Sequence, residues 1–439
     1  MKPRPPLPPG PFLVVGLARS GVAAALALRA RGEEVIGTDA GAPEVGRLRD
    51  VGVEVHLDAS GEHFAARART VIKSPGVPQD APVIVAARRR GLPVLGELEL
   101  AWRLIANEFI AVTGTNGKTT TTEWIGHIHR EAGLPVAVAG NVGTAASSVI
   151  DSLPADAVVV CEASSFQLED AEAFAPEAAV LLNLAPDHLD RHAGYEAYVA
   201  AKLRIFARQG NDDIAVAPRD LAVQDLGGCA RRVTFGRGPG AELSDRAGYL
   251  WWAEEPLIPA EEVGLPGAHN RENAMAAAAV CLARRIPADG VRAGLRSFTG
   301  VAHRLETIAR RDGVAFVNDS KATNVASTLV ALEVFPGGVH LIAGGLGKSQ
   351  DFTPLAPVVA ERCRAVYLIG AAAAEIEFAL AGTGVEVEQC VELPRALAAA
   401  RAAARPGDTV LLSPACASYD QYSDFEARGD HFRALVEGA

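Results

Sequence analysis

Apolar residues in this chain come in short unbroken runs rather than in alternation with polar ones. Phe12-Leu13-Val14-Val15, Phe109-Ile110-Ala111-Val112, Ala157-Val158-Val159-Val160 and Ala178-Ala179-Val180-Leu181-Leu182 are each followed within two residues by Gly, Glu or Asn. Runs of this kind suit strands buried on both faces of a parallel sheet, whereas a half-exposed strand would alternate. Ala/Leu-rich stretches of helical length lie between them, from about Ser20 to Ala30, from Val83 to Arg90 and around 270–285. Glu34–Gly37 and Thr70–Ile72 add strands to the first series, which Gly91-Leu92-Pro93 interrupts. Val314–Val317, Val339–Ile342, Ala365–Ile369 and Thr409–Leu412 form a last series. The pattern predicts an α/β fold of three strand–loop–helix modules, with divisions at 1–96, 97–300 and 301–439. In such sheets ligands sit beyond the carboxyl ends of strands, so chemistry is sought in the loops that follow them.

A length of 439 residues agrees with several domains of roughly 150 residues each. Net charge is −11 with no basic tract, which argues against general nucleic-acid binding and leaves any phosphate site to local groups. The proline-rich start, Lys2 to Pro9, lacks the apolar segment of a signal peptide, and no apolar run approaches the roughly 18 residues of a membrane span. Six scattered cysteines without a C-x-x-C pair fit a reducing cytoplasm better than a disulfide framework or a zinc site. Lysine is the informative residue: Lys2, Lys73, Lys118, Lys202, Lys321 and Lys348 are the only six among 42 basic residues. Where arginine serves for solvation, a lysine marks a need for a compact ammonium or a neutral amine.

Gly114-Thr115-Asn116-Gly117-Lys118-Thr119-Thr120 follows the strand ending at Val112 and precedes a helix. Glycines let backbone N–H groups close on phosphate oxygens, and the helix start adds the positive end of its dipole. Lys118 would reach the β- and γ-phosphates and the Thr119 hydroxyl would take Mg²⁺, although the generic phosphate loop wants Gly where Val112 stands. Glu162, at the next strand end, can hold the same ion or be a solvated carboxylate. Asp187-His188-Leu189-Asp190-Arg191-His192 occupies a further strand-end loop, and Lys202 lies in a helix whose neighbours use arginine. Gly16-Leu17-Ala18-Arg19-Ser20-Gly21, with Asp39, would suggest a dinucleotide fold, but Ala18 stands where the middle glycine must admit a pyrophosphate.

Together the glycine loop, Glu162, the Asp187–His192 loop and Ala201-Lys202-Leu203-Arg204-Ile205 resemble the Mur ligase family, which joins amino acids to UDP-muramoyl precursors. The resemblance implies a Rossmann-like N-terminal domain for the UDP substrate (1–96), a phosphate-loop ATPase-like central domain with a parallel or mixed sheet (97–300), and a Rossmann-like domain for the amino acid (301–439). It implies the shortened phosphate loop, a carbamylated Lys202 and a second Mg²⁺ held by that carbamate, His188 and Glu162. It assigns ATP to Gly114–Thr120, Asn270, Asn273, Arg304 and Asp319; capping of a helix by Asn270 is an equally good local reading. The UDP substrate falls to Gly16, Leu17, Ala18, Arg19, Ser20, Asp39, Ser74, Pro75, Gly76, Asn141 and His188, with Ala40 less polar than the family's usual residue. Three strand-end loops, Asn318–Asn324, Gly344–Lys348 and Ser413–Phe425, resemble the D-glutamate-adding branch, placing Thr323, Lys348, Ser418, Tyr419, Phe425 and Lys321 around the amino acid. The implied reaction ligates D-glutamate to UDP-N-acetylmuramoyl-L-alanine with ATP and two Mg²⁺ ions, in a monomer without nucleic-acid partners. Another Mur-type or folylpolyglutamate-type ligase, a non-catalytic nucleotide-binding relative and a nicotinamide dehydrogenase are the alternatives.

Overall fold

The unbroken apolar runs become parallel strands whose residues are buried on both faces. The first sheet holds β1 (Phe12–Val15), β2 (Val35–Thr38), β3 (Glu54–His56), β4 (Thr70–Lys73) and β5 (Val94–Gly96), in the order β3-β2-β1-β4-β5; β1, β2 and β4 are buried throughout, while the edge strand β3 is partly exposed. The structure is a computed structural model and describes residues 2–141, 143–188, 191–221, 226–347 and 350–438. The chain divides into two compact units, Met1–Phe298 and Thr299–Ala439. Among the described residues no helix is long and apolar enough to cross a membrane.

The first unit also holds a sheet of nine strands in the order β14-β13-β12-β11-β10-β9-β6-β8-β7. Its parallel part comprises β6 (Phe109–Thr113), β7 (Val136–Gly140), β8 (Val158–Glu162), β9 (Ala178–Leu181), β10 (Ile214–Pro218) and β11 (Arg231–Arg237), to which β12 (Leu243–Arg246) adds. The antiparallel β13 (Tyr249–Trp252) and β14 (Glu255–Pro259) complete it. In both sheets the chain leaves a central strand, β1 or β6, with neighbours built on either side. That arrangement opens a crevice at the strand's carboxyl end, where the Gly16 and Gly114 loops begin. The Ala-rich helix runs Ala268–Ala283, with Ala274 and Ala276 to Ala279 fully buried between β11 and the helix Lys118–Glu131. Alanine allows that close approach on several sides without side-chain entropy to lose.

The second unit holds β15 (Glu306–Arg311), β16 (Val314–Asn318), β17 (Val339–Gly344), β18 (Cys363–Ile369), β19 (Glu386–Val391) and β20 (Thr409–Leu412), ordered β15-β16-β20-β17-β18-β19. Only β15 is antiparallel. Inserting β20 between β16 and β17 brings the three carboxyl-end loops singled out above into one row.

Two lysines take structural roles. Lys73 is buried and paired with Asp170 at 2.7 Å, and Gln79 Nε2 donates to the other oxygen of that carboxylate. Lys2 donates to Asp213 Oδ2 at 2.6 Å and to the Ala175 carbonyl, beginning an N-terminal arm laid against the central sheet's domain. The next anchor is Arg4, whose guanidinium lies 4.5 Å from the Trp102 ring centroid and pairs with Glu177 at 3.0 Å. Its side chain and that of Glu177 are 7% and 9% exposed. Removing one member of a buried pair strands the other, so Arg4→Ala should lower unfolding free energy by about 3 kcal/mol in urea titrations. Lys2→Ala, at a more exposed pair, should cost less than about 1 kcal/mol. Equal small effects from both would show that the arm is not anchored at Arg4.

Candidate functional site

The nucleotide loop leaves β6 through Gly114 (φ 153°) and enters the helix Lys118–Glu131 through Gly117 (φ 83°), the N-cap. A Cβ at Gly117 would also collide with Asn273 Oδ1, so glycine is required both for the left-handed turn and for the approach of the Ala-rich helix. Lys118 Nζ folds back over the loop, donating to the carbonyls of Gly114 at 3.0 Å and Thr115 at 2.9 Å. The first intrahelical bond of this start runs from Thr121 N–H to Gly117 C=O, so the N–H groups of the first turn before it have no intrahelical acceptor, the arrangement that suits an anion.

Glu162, the last residue of β8, is buried and held at both oxygens. Oε2 accepts from Thr119 Oγ1 at 2.8 Å, and Oε1 accepts from Asn141 Nδ2 at 3.0 Å. Asn141, expected at the substrate, thus lies on the acid. A hydroxyl and a carboxylate side by side suit a hard divalent cation such as Mg²⁺, which takes few protein oxygens and fills its octahedron with water and phosphate. Among the described residues no group of three or more His, Cys, Asp or Glu forms a ready cage, so phosphate oxygens would have to complete the sphere.

Lys202 is 2% exposed, and its Nζ donates at 2.7 Å to the same Gly114 carbonyl that Lys118 uses. Burial, and then the neighbouring Lys118 charge, pull its pKa down to about 7. Its ammonium also lies 4.6 Å from the Tyr198 ring centroid, and the Tyr198 hydroxyl shares a 2.9 Å hydrogen bond with Thr115 Oγ1. Tyr198, one turn before Lys202, carried no signal in sequence beyond an apolar helix position. His188 has φ 51°, a left-handed conformation unusual for a side-chain-bearing residue. Its half-exposed ring lies 3.5 Å from Asp187 Oδ2 and 4.9 Å from the Phe166 ring centroid. The structure therefore gathers Thr119, Glu162 and Asn141, and separately Lys118 and Lys202, while the contacts of His188 are with Asp187 and Phe166.

Asn270 donates to the Pro266 carbonyl at 2.8 Å from an exposed first turn; the N-cap of that helix is Gly267, not Asn270. Asn273 is buried against the phosphate loop. In the N-terminal sheet, Asp39 accepts from Leu17 N–H at 2.6 Å and Gly41 N–H at 2.8 Å, and Ser74 Oγ donates to the Gly16 carbonyl at 2.6 Å. These bonds shape the Gly16–Ser20 turn, with Pro75 and Gly76 in the turn after Ser74. A cleft of about 950 Å³ opens beside Leu17, Ala18 and Arg19, with Gly143 and Thr144 opposite; Arg19 Nη1 spans it to the Gly143 carbonyl at 2.9 Å.

In the second unit the loops after β17 and β20 are zipped by Leu346 and Ala417, which exchange backbone hydrogen bonds of 2.8 and 3.1 Å. Asp319 is buried, accepts from Ser413 Oγ at 2.7 Å and Leu305 N–H at 3.1 Å, and burial raises its pKa to about 6. Arg304 is exposed nearby. Ser320 Oγ donates to the Phe425 carbonyl at 2.8 Å, and Lys321 Nζ is 5.9 Å from the Phe425 ring centroid. Ser418 is buried, Thr323 partly exposed and Tyr419 60% exposed. Lys348 lies outside the described residues. Sequence reading missed Arg428, a fully buried guanidinium on the helix Phe425–Glu437; its signal is its place in register with Phe432 and Val436 on the buried face.

Three family descriptions match the chain: Mur ligase MurD-like N-terminal domain over residues 11–96, Mur ligase middle domain over 112–281, and Mur ligase glutamate ligase domain over 303–416. A UDP-N-acetylmuramoylalanine--D-glutamate ligase of Acidobacterium capsulatum is 44% identical over 97% of this chain and 95% of its own length. The protein of that name in Anaeromyxobacter dehalogenans is 44% identical over 96% of each. Among solved structures, UDP-N-acetylmuramate-alanine ligase of Thermotoga maritima superposes with TM-score 0.61 at 20% identity, covering 98% of this chain and 99% of that one. A MurF ligase from the same organism in complex with ADP gives 0.55 at 17% identity, covering 99% of this chain and 96% of that one; both likenesses concern the fold. With a phosphate loop, a strand-end acid and a buried lysine assembled on this fold, and relatives matching from end to end, the chain belongs to the Mur ligase family.

Proposed function

We propose that the chain joins D-glutamate to UDP-N-acetylmuramoyl-L-alanine at the expense of ATP, as a cytoplasmic enzyme of peptidoglycan precursor synthesis acting as a monomer. The observation that carries the ligase chemistry is the convergence of Lys118 and a buried, near-neutral Lys202 on the Gly114 carbonyl, beside the Thr119–Glu162 pair. Full-length similarity to two named D-glutamate ligases supports the choice of amino acid. The segments 1–96, 97–300 and 301–439 then serve the UDP substrate, ATP and D-glutamate in turn.

In this reading the muramoyl-alanine carboxylate attacks the γ-phosphorus of ATP, the bond to the β,γ-bridging oxygen breaks, and an acyl phosphate and ADP form. The D-glutamate amine then attacks the acyl carbon, and the tetrahedral adduct expels phosphate as the amine loses its proton. Lys118 and the helix-start N–H groups hold the phosphates in line and offset charge on the transferring group. Two bound Mg²⁺ ions would neutralise phosphate oxygens, one held by Thr119 and Glu162 and the second by Glu162, His188 and the carbamate of Lys202. CO₂ adds only to a neutral amine, and burial supplies one at Lys202 near neutral pH. Gly16–Ser20, Asp39, Ser74–Gly76, Asn141 and His188 take the UDP substrate; Asn270, Asn273, Arg304 and Asp319 serve ATP. Thr323, Ser418, Tyr419, Phe425, Lys321 and Lys348 surround D-glutamate.

Phosphate release from ATP with Mg²⁺ and UDP-N-acetylmuramoyl-L-alanine tests the reading across D-glutamate, L-glutamate, L-lysine and diaminopimelate. Release is expected with D-glutamate alone; release with diaminopimelate and not D-glutamate would overturn the specificity.

A further inference from the structure

The segment after β9 runs beside the nucleotide loop and is bonded to it residue by residue. Thr115 N–H donates to the Asn183 carbonyl at 3.0 Å, Ala185 N–H to Thr115 Oγ1 at 3.0 Å, and Thr115 Oγ1 is within 3.2 Å of the Ala185 carbonyl. Between these, the Asn183 side chain grips the loop at its middle. Its Oδ1 accepts from Asn116 N–H at 2.8 Å, and its Nδ2 donates to Asn116 C=O at 3.1 Å. This reciprocal pair fixes the orientation of the amide, because only one setting of O and N satisfies both backbone groups. The space for it depends on Gly114, where a Cβ would stand 2.9 Å from Leu182 Cβ and 3.3 Å from Asn183 N.

From this geometry we infer that Asn183 is a positioning residue for the nucleotide, acting through the loop rather than on the phosphates. By occupying both polar groups of the Asn116 peptide, it turns that residue outward and leaves the N–H groups beyond it to line the anion cradle. A phosphate nest has high affinity only when its N–H groups are held convergent before the anion arrives, since ordering a glycine-rich loop on binding costs affinity. The same bonds tie the loop to the segment leading to Asp187 and His188, five residues on.

The inference rests on the ATP-dependent reading for its role in turnover, and its test separates the two. Mg-ADP affinity is measured by titration calorimetry on the full chain for wild type, Asn183→Ala and Asn183→Asp. The Ala variant loses both bonds; the Asp variant keeps the shape and the acceptor but sets a carboxylate oxygen against the Asn116 carbonyl. Expected is a rise in Kd of about tenfold to a hundredfold in both, larger for Asp. In turnover the KM for ATP should rise with it, while the KM for the UDP substrate stays within about twofold. Mg-ADP affinity within about twofold of wild type in the folded Asp variant would overturn the inference. So would equal rises in both KM values, the mark of a merely structural residue. The calorimetric series requires no turnover: a wild type that binds Mg-ADP but shows no D-glutamate-dependent phosphate release refutes the proposed reaction and leaves the assignment of Asn183 to be judged on affinity alone.

Discussion

Lys202→Arg is expected to lower turnover by about 10³-fold, the scale of losing several kcal/mol of metal-centred charge stabilisation, with the protein still folded. The side chain is nearly inaccessible, its Nζ is 2.7 Å from the Gly114 carbonyl, and its pKa is near 7 because burial and the Lys118 charge both oppose protonation. Arginine would preserve a cation and a donor to that carbonyl, but it never presents a neutral nitrogen to CO₂. If Lys202 served as a cation, the arginine variant would retain most activity. If it serves as a carbamate, arginine and alanine should fail alike, small carboxylates should partly restore Lys202→Ala, and stripping CO₂ from the buffer should reversibly slow the wild type. An arginine variant above about a tenth of wild-type turnover, or a wild type indifferent to CO₂, would sink the carbamate.

Strands buried on both faces were legible because their apolar runs are continuous; Phe12–Val15 and Phe109–Thr113 begin where the pattern puts them. The β11–β14 region was not legible. Arg231–Arg237 is exposed at its ends and alternates within, and β13 and β14 form a partly exposed antiparallel hairpin, so no continuous run announces them. Loop chemistry followed the same division. Gly114–Thr120 and Glu162 could be read because a strand end and a glycine pattern place them. The partners of Glu162 and Lys202 could not, since Asn141 and Gly114 reach them only through the order of β6, β7, β8 and β9. Lysine scarcity led to Lys118 and Lys202, whereas Lys73 and Lys2 turn out to hold structure, through Asp170 and Asp213.

Arg428→Met should weaken D-glutamate binding, raising its KM at least about tenfold and lowering the unit's stability by about 3 kcal/mol. Arg428 is 1% exposed, and burial draws its pKa down to about 10, which leaves it charged at neutral pH. It donates from Nε to Ser320 Oγ and from Nη2 to the Ser320 carbonyl, both at 2.9 Å, and from Nη2 to the Cys416 carbonyl at 3.1 Å. A Cβ on Gly345 would lie 3.2 Å from Nη1, so the guanidinium sits beneath the loop after β17 as well. One planar cation thus braces the loops after β16 and β20 and packs beneath the loop after β17, the three proposed to close on a dicarboxylate. Methionine keeps the stem's bulk and leaves two buried carbonyls without their donor, each worth roughly 1–3 kcal/mol. Lysine keeps the charge without the fork and should fall between the two. The discriminating readout is the split between substrates: the KM for D-glutamate should move while that for ATP stays within about twofold. A methionine variant that unfolds more easily yet binds D-glutamate as wild type does would show that Arg428 supports the sheet and not the amino-acid loops.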